Sequence, residues 1–233
     1  MAGTTGHTLK AFDEDLDQLR ASIAEMGGLA EAAISESMRA LVQRDLEAAQ
    51  KVVDDDQKLD ALEMEVESRA VQIIALRAPM ADDLREVVAA LKIAGVVERI
   101  GDYAKNIAKR VRAIEQSPNL RPLSLVPEMA RIVAEMVHSA LDAFVARDAQ
   151  KAAEVCQRDR AVDDFYNSIF RTLLTFMMED PQNITPATHL LFVAKNLERI
   201  GDHATNVAEM VYFAASGDRL GQRQRGIDST QSD

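Results

Sequence analysis

The chain has 233 residues and a formal net charge of −11, which opposes nonspecific binding of nucleic acid because phosphate contacts need a basic face. It is 47% hydrophobic but only 4% aromatic, has no tryptophan and contains a single cysteine, Cys156. This composition favours long packed helices over strands, and one cysteine excludes an intrachain disulfide.

The first half of the chain has the pattern of three helices. Apolar residues at alternating spacings of three and four predict amphipathic helices, Asp45 is a candidate N-cap, and Pro79 ends a helical pattern. The predicted helices run from Leu9 to Leu41, from Asp45 to Arg77, and from Asp82 or Asp83 to about Glu115.

The second half repeats this scheme after a linker that contains Pro118, Pro122 and Pro127. Its predicted helices run from about Glu128 to Arg147, from Asp148 to Glu179, and from about Thr185 to Ala215. Long helices joined by short turns pack as antiparallel neighbours. We therefore predict an all-α fold of two tandem three-helix bundles related by pseudo-two-fold symmetry, at 8–117 and 124–215, followed by a disordered polar tail at 217–233.

An internal repeat is the most informative feature of the sequence. Glu98–Ala108 and Glu198–Ala208 lie 100 positions apart and share eight of eleven residues. In each copy a Glu, an Asp and an Asn recur at steps of four, so their side chains stack along one face of a helix.

The preceding helix of each half carries a second acidic pair. Asp56 and Asp60 correspond to Asp159 and Asp163 at an offset of 103. Each half is thus predicted to hold four carboxylates on adjacent helices, with an asparagine as a further oxygen donor. The ten candidate ligands are Asp56, Asp60, Glu98, Asp102, Asn106, Asp159, Asp163, Glu198, Asp202 and Asn206.

Neighbouring carboxylates repel one another, so something should neutralise them. Oxygen donors suit hard or borderline metal cations, which makes a metal site one interpretation. A solvated acidic face is the other, and Arg99 and Arg199 are then the expected local ion-pair partners. Lys105 belongs to a basic group that we expect to complement the carboxyl end of its helix or to contact an acidic partner.

Other features carry less information. Gly101 and Gly201 lie inside helices, where each costs roughly 1 kcal/mol relative to alanine, and close approach of a neighbouring helix would explain both. His203 is expected at a surface or interface. Glu135 and His138 form a single E-x-x-H, a spacing that di-iron bundles use twice, and chance explains one copy better.

The sequence indicates no enzyme, because nucleophile-elbow, P-loop and zinc-protease patterns and any strand pattern for a nucleotide fold are missing. No apolar run reaches the length of a membrane span, and acidic residues follow the amino terminus where a secretory signal would be basic. We therefore expect a cytoplasmic protein without direct membrane insertion.

The doubled E-R-I-G-D-x-A-x-N segment, each copy on the third helix of a three-helix unit, closely resembles the PhoU family of phosphate transport accessory and signalling proteins. The resemblance covers roughly Leu9 to Ala215. It implies two bundles side by side, with clustered metal ions held by the acidic pairs; iron, zinc, manganese and magnesium are the candidate metals. Gly95-Val96-Val97 replaces a polar position that Asn196 keeps, so the first site is expected to be less polar, differently occupied or used as a packing surface.

The resemblance also implies a function. It is that of a cytosolic negative regulator of phosphate uptake and phosphate-starvation signalling, an adaptor between the ATPase of a high-affinity ABC phosphate transporter and a sensor histidine kinase, and a homodimer. Two other classes stay open at this point: a carboxylate-bridged metal-storage or di-metal oxidoreductase bundle, and a purely structural dimerisation module.

Overall fold

Six long helices make up the protein. The computed structural model describes residues 4–115, 117 and 120–220, and these contain helices and turns without strands. The helices are α1 (Thr4–Gln43), α2 (Leu46–Arg77), α3 (Ala81–Glu115), α4 (Val126–Ala146), α5 (Ala149–Glu179) and α6 (Ile184–Ser216). The predicted all-α class and three helices per half are confirmed.

In each half, the turn that connects the first helix to the second is built in the same way. Arg44 and Arg147 adopt left-handed backbone conformations, with φ of 57° and 53°. Each is followed by an aspartate that caps the next helix: Asp45 accepts a hydrogen bond from the amide of Ala48 at 2.9 Å, and Asp148 accepts one from that of Lys151 at 3.0 Å. The predicted N-cap Asp45 is confirmed, and Asp148 caps the equivalent helix of the second half.

Some helix ends differ from the sequence prediction. Helix α1 begins at Thr4, earlier than the predicted Leu9. Helix α3 begins at Ala81, so Asp82 and Asp83 lie in its first turn and are not its N-cap. Their negative charges there interact favourably with the positive end of the helix dipole. Pro127 lies at the start of α4, a position that needs no amide hydrogen.

The helices form two layers. Helices α2, α3, α6 and α5 lie in a row, and α1 and α4 pack behind them, α1 against α2 and α3 and α4 against α5 and α6. Short turns make consecutive helices antiparallel within each half. The halves meet where α3 contacts α6 and α1 contacts α4, and Tyr103 stacks on its repeat equivalent His203 with ring centroids 5.4 Å apart. This pairing of equivalent positions matches the predicted pseudo-two-fold symmetry.

One continuous apolar core runs through both halves. A buried carboxylate, Glu86 of α3, also joins them: its side chain is 8% exposed and accepts hydrogen bonds from Arg20 of α1 and from Arg147 at the end of α4. The two halves are therefore packed together, not loosely tethered.

The two helix-interior glycines mark close helix contacts. A Cβ at Gly101 would overlap the Leu59 side chain of α2, and a Cβ at Gly201 would lie 3.2 Å from Cγ1 of Val162 in α5. Leu59 and Val162 are themselves equivalent in the repeat. The predicted close approach is confirmed, and it brings the acidic stretches of α2 and α5 against those of α3 and α6.

The carboxyl-terminal region begins with a defined turn. Gly217 ends α6 with a φ of 80°, and its amide donates to the carbonyl of Phe213 at 2.9 Å. The sequence predicts disorder at 217–233. Because Gly217 still caps α6, this predicted start is too early. Residues 221–233 lie outside the described part of the structure.

Candidate functional site

The four carboxylates predicted in the first half lie together in the groove between α2 and α3. Because α1 closes the other side of this bundle, the groove opens away from the core. Burial raises the pKa of Glu98 to about 7, helped by the charges of Asp102, Glu63, Asp60 and Asp56. Burial and the charge of Asp56 likewise raise the pKa of Asp60. We call Asp56, Asp60, Glu63, Glu98 and Asp102 the first acidic column.

Lys105 neutralises part of this column. Its Nζ lies 2.6 Å from Oδ1 of Asp102 and also forms an ion pair with Asp56, whose side chain is only 7% exposed. Burial alone would lower the pKa of Lys105, but the hydrogen bonds to Asp102 and Asp56 raise it above its usual value. The prediction that Lys105 complements the helix end is wrong: it lies well inside α3 and joins α3 to α2.

Glu63 belongs to the column but was not among the predicted residues. Burial and the charges of Glu67 and Asp60 raise its pKa, against the opposing effect of Arg99. Its Oε1 lies 3.1 Å from where a Cβ at Gly95 would be. The signal was present in the sequence, because Asp56, Asp60, Glu63 and Glu67 follow the spacing of one helical face.

The second half has an equivalent groove between α5 and α6. There Asp159 is buried and accepts a hydrogen bond from Oγ1 of Thr205 at 3.1 Å, while Asp163 is exposed and Asp202 is partly exposed. Lys195 forms an ion pair with Oε1 of Glu198 at 2.6 Å. We call Asp159, Asp163, Glu198 and Asp202 the second acidic column.

The second column has one buried oxygen without a protein partner. Oε2 of Glu198 forms no hydrogen bond, although Oε1 of the same carboxylate binds Lys195. A buried carboxylate oxygen that lacks a donor is costly. Its chemistry fits a cation or a water molecule as partner.

The two arginines of the repeat do not act as the expected neutralisers. Among the described residues neither Arg99 nor Arg199 forms an ion pair; lysines take that role in both columns. Burial and the positive charges of Arg99 and Arg199 lower the pKa of His203, which lies at the contact between α3 and α6. His203 is thus an interface residue, as predicted.

The asparagines lie at the edge of the columns. Asn206 is 3.5 Å from Nδ1 of His203, so its amide borders the α3–α6 contact, and Asn106 is partly exposed at the equivalent position. Their predicted role as oxygen donors stays a prediction.

The grooves contain the oxygen donors that hard metal ions prefer, but these donors are not arranged around a common point. Across 4–115, 117 and 120–220, no three Asp, Glu, His or Cys side chains converge closely enough to hold a metal ion in their present conformations. The columns offer carboxylate oxygens on opposed helices and the unpartnered oxygen of Glu198, which fit a hard cation once side chains rotate. Metal ligation by the ten predicted residues therefore stays a proposal.

The E-x-x-H pair has other partners. Glu135 binds Arg131 and Arg158, and His138 lies 3.1 Å from Oε1 of Glu31. Both residues lie on the surface, away from the columns. This arrangement explains the pair by ion pairs that link helices and gives no support for a di-iron centre.

In the described residues no helix combines the length and the apolar character needed to cross a membrane.

Comparison with known proteins agrees with this architecture. The family model described as PhoU domain matches twice, at residues 23–111 and 126–211. The chain is 54% identical, over all of its length and 98% of the relative, to a protein of Zymomonas mobilis named phosphate-specific transport system accessory protein PhoU homolog.

Solved structures are similar over most of the chain. The crystal structure of PhoU from Pseudomonas aeruginosa has a TM-score of 0.85 and 36% identity, covering 89% of this chain and 100% of that one. The phosphate transport system regulatory protein PhoU from Streptococcus pneumoniae has a TM-score of 0.84 and 26% identity, covering 91% and 100%. With the family model matched over both halves, the chain belongs to the PhoU family.

Proposed function

We propose that this protein is an accessory, negatively acting regulator of phosphate transport and phosphate-starvation signalling. It binds the ATPase of an ABC phosphate transporter and a sensor histidine kinase, and it represses starvation genes when phosphate is plentiful. The observation that carries this proposal is the family membership of both halves, with relatives named as accessory and regulatory proteins of phosphate transport.

The fold supports a role in binding other proteins. The four-helix row presents two acidic grooves on its open side, while the core beneath is filled with apolar side chains. The carboxylates of these grooves, paired with the flexible side chains of Lys105 and Lys195, can bind and release a protein or metal partner without unfolding of the bundle. The metal-storage or oxidoreductase alternative needs a set of carboxylates inside the bundle, whereas both columns lie between neighbouring helices of one layer, on the side away from the apolar core.

Metal ions form the second part of the proposal. Iron, zinc, manganese or magnesium held by the acidic columns would supply positive charge that cancels carboxylate repulsion and fixes the shape of the grooves. Asp56, Asp60, Glu98 and Asp102 would hold metal in the first groove, and Asp159, Asp163, Glu198 and Asp202 in the second, with Asn106 and Asn206 beside them.

A deletion strain tests the regulatory role. Loss of the gene should switch on a phosphate-starvation reporter in phosphate-rich medium, and the wild-type gene should restore repression. The double variant Asp102→Asn/Asp202→Asn should restore it less well if the columns matter. Glu25→Gln, an exposed acidic residue of α1 behind the open face, is the matched control. A reporter that stays repressed in the deletion strain would contradict the regulatory role.

Copurification tests the partners separately. The tagged full-length protein should retain the transporter ATPase and the sensor kinase when each is co-expressed with it. If neither is retained, the adaptor mechanism fails even if deletion alters phosphate regulation. Size-exclusion chromatography with light scattering on the same preparation tests the expected homodimer.

A further inference from the structure

The two acidic columns differ at one central position. Lys105 of α3 and Thr205 of α6 are equivalent in the repeat, three residues after Asp102 and Asp202. Lys105 binds carboxylates of both α2 and α3, whereas the hydroxyl of Thr205 donates to Asp159 and contacts the carbonyl of Gly201 at 3.2 Å. One column therefore has a positive charge between its two helices where the other has a neutral hydroxyl.

The ammonium of Lys105 lies where a bound cation would bridge the helices of the first column. Divalent cations bind groups of carboxylates from neighbouring elements, which is the contact that Lys105 makes with Asp56 and Asp102. A metal ion entering there would have to displace the ammonium or lie beside it and be repelled. Displacement would also break the ion pair of Asp56, which is almost fully buried.

The lysine of the second column has a different position. Lys195 pairs with one oxygen of Glu198 from the flank of the groove, is 42% exposed and lies over the ring of Tyr166 at 5.2 Å. The other oxygen of Glu198 stays buried and without a hydrogen bond. This column thus keeps an unpartnered carboxylate oxygen, and its lysine is exposed enough to move into solvent when a cation takes its place beside Glu198.

We propose that the two columns are unequal: Lys105 serves as the built-in cation of the first column and keeps metal ions out, so that metal binds at the second column. This inference rests on the proposed metal binding. It assigns Lys105 as the residue that determines which of two repeated sites is occupied.

Metal titration of the full-length protein tests the inference. Mn²⁺ is titrated into chelator-treated protein, and bound Mn²⁺ is counted by calorimetry and by mass spectrometry after desalting. Wild type and Asp102→Asn should bind the same amount, whereas Asp202→Asn should lose most of it. Lys105→Thr, which copies the second column, should bind roughly twice as much as wild type. The first column should bind Mn²⁺ at least tenfold more tightly in Lys105→Thr than in wild type.

Two further variants provide controls. Lys109→Thr, an exposed residue one turn beyond Lys105 on the same helix, should bind as wild type does. Thr205→Lys should reduce binding at the second column. Because Thr205 is fully buried, the folding of the Thr205→Lys variant is checked by circular dichroism. The comparison of Asp102→Asn with Asp202→Asn tests the inference independently of this variant.

The outcomes separate this inference from the proposal on which it rests. If Asp102→Asn and Asp202→Asn lose equal amounts of Mn²⁺ and Lys105→Thr gains none, the columns are equal and the inference is wrong, although metal binding stands. If no variant binds Mn²⁺, and Zn²⁺ and Fe²⁺ give the same result, metal binding itself fails and the inference fails with it.

Discussion

The first and second halves share a backbone plan but balance their acidic charge differently. The turns at Arg44-Asp45 and Arg147-Asp148 are alike, and Gly101 and Gly201 lie at equivalent helix contacts. In contrast, the counter-charge comes from Lys105 in one half and from Lys195 in the other. Geometry that packing requires has been kept across the repeat, while the partners of the carboxylates differ.

The columns also differ in how far the acidic row extends. In the first half the row continues through Glu63 and Glu67, which correspond to Tyr166 and Phe170 in the second. Tyr166 and Phe170 contact each other, and Lys195 lies over Tyr166, where the first half has Gly95 beside Glu63. The first groove is therefore the more negative of the two, which is consistent with a pKa of about 7 for Glu98 and contrary to the expectation that the first site is less polar.

The largest expected effect concerns Glu86, a buried carboxylate of the first half that has no counterpart in the second. Glu86 binds Arg20 and Arg147, and its repeat equivalent is Pro186. Glu86→Ala should lower the free energy of unfolding by about 3 kcal/mol, because it leaves two cations without their buried partner. Urea unfolding followed by circular dichroism measures this. Glu36→Ala, which removes an exposed ion pair with Arg39, should leave it almost unchanged.

The two column lysines should differ in their effect on stability. In chelator, Lys105→Met should lower the free energy of unfolding by about 1–3 kcal/mol, because Asp56 stays buried without its cation. Lys195→Met should cost less than about 1 kcal/mol, since that ion pair is partly exposed. Equal losses in the two variants would show that the lysines are equivalent after all.

The repeated glycines give a smaller contrast. Gly101→Ala should lower the free energy of unfolding by about 1–2 kcal/mol, because the new methyl group overlaps the packed side chain of Leu59. At Gly201 the nearest atom is 3.2 Å away, so the helix preference of alanine, about 1 kcal/mol, offsets the tighter contact and the change should be near zero. Thermal unfolding of the two variants side by side tests the difference.

The smallest expected effect is the pH dependence of Glu98, because solvent screens the charge of this partly exposed side chain. Because its pKa is raised from 4.5 to about 7, the folded chain binds more protons there than the unfolded chain between these values. Stability contributed by this residue is therefore present at low pH and lost as pH rises toward 7 and above.

Glu98→Gln tests this dependence. In chelator it should be more stable than wild type at pH 8, and the difference should shrink at pH 5, where Glu98 is already protonated. Glu198→Gln should instead lose stability at pH 8, because Lys195 loses its partner. A Glu98→Gln variant less stable than wild type at pH 8 would show that the carboxylate charge is compensated in the fold.

The sequence predicted the framework well because the framework depends on local signals. Helix periodicity, the N-cap aspartates and Pro79 act within a few residues, and the structure places α2 and α5 accordingly. The errors fell at helix starts: at the amino end of α1, and at α3, where two neighbouring aspartates made alternative caps and the helix begins before both.

The columns were predicted only in part. Spacing placed Glu98 and Asp102 on one face, and the repeat offset paired them with Asp56 and Asp60 on the neighbouring helix. Glu63 lies outside the predicted set because it follows Asp60 by three residues, whereas the predicted pairs are spaced by four; a step of three continues the same face.

The sequence by itself thus determined the six helices, the duplication, the family and the acidic composition of two grooves, because each follows from short-range pattern or direct repetition. Only the tertiary structure decided which cation meets which carboxylate. Arg99 is next to Glu98 in the sequence yet forms no ion pair among the described residues, while Lys105 reaches Asp56, 49 positions away. That choice depends on the register of α2 against α3, which the packed core and the close contact at Gly101 set together.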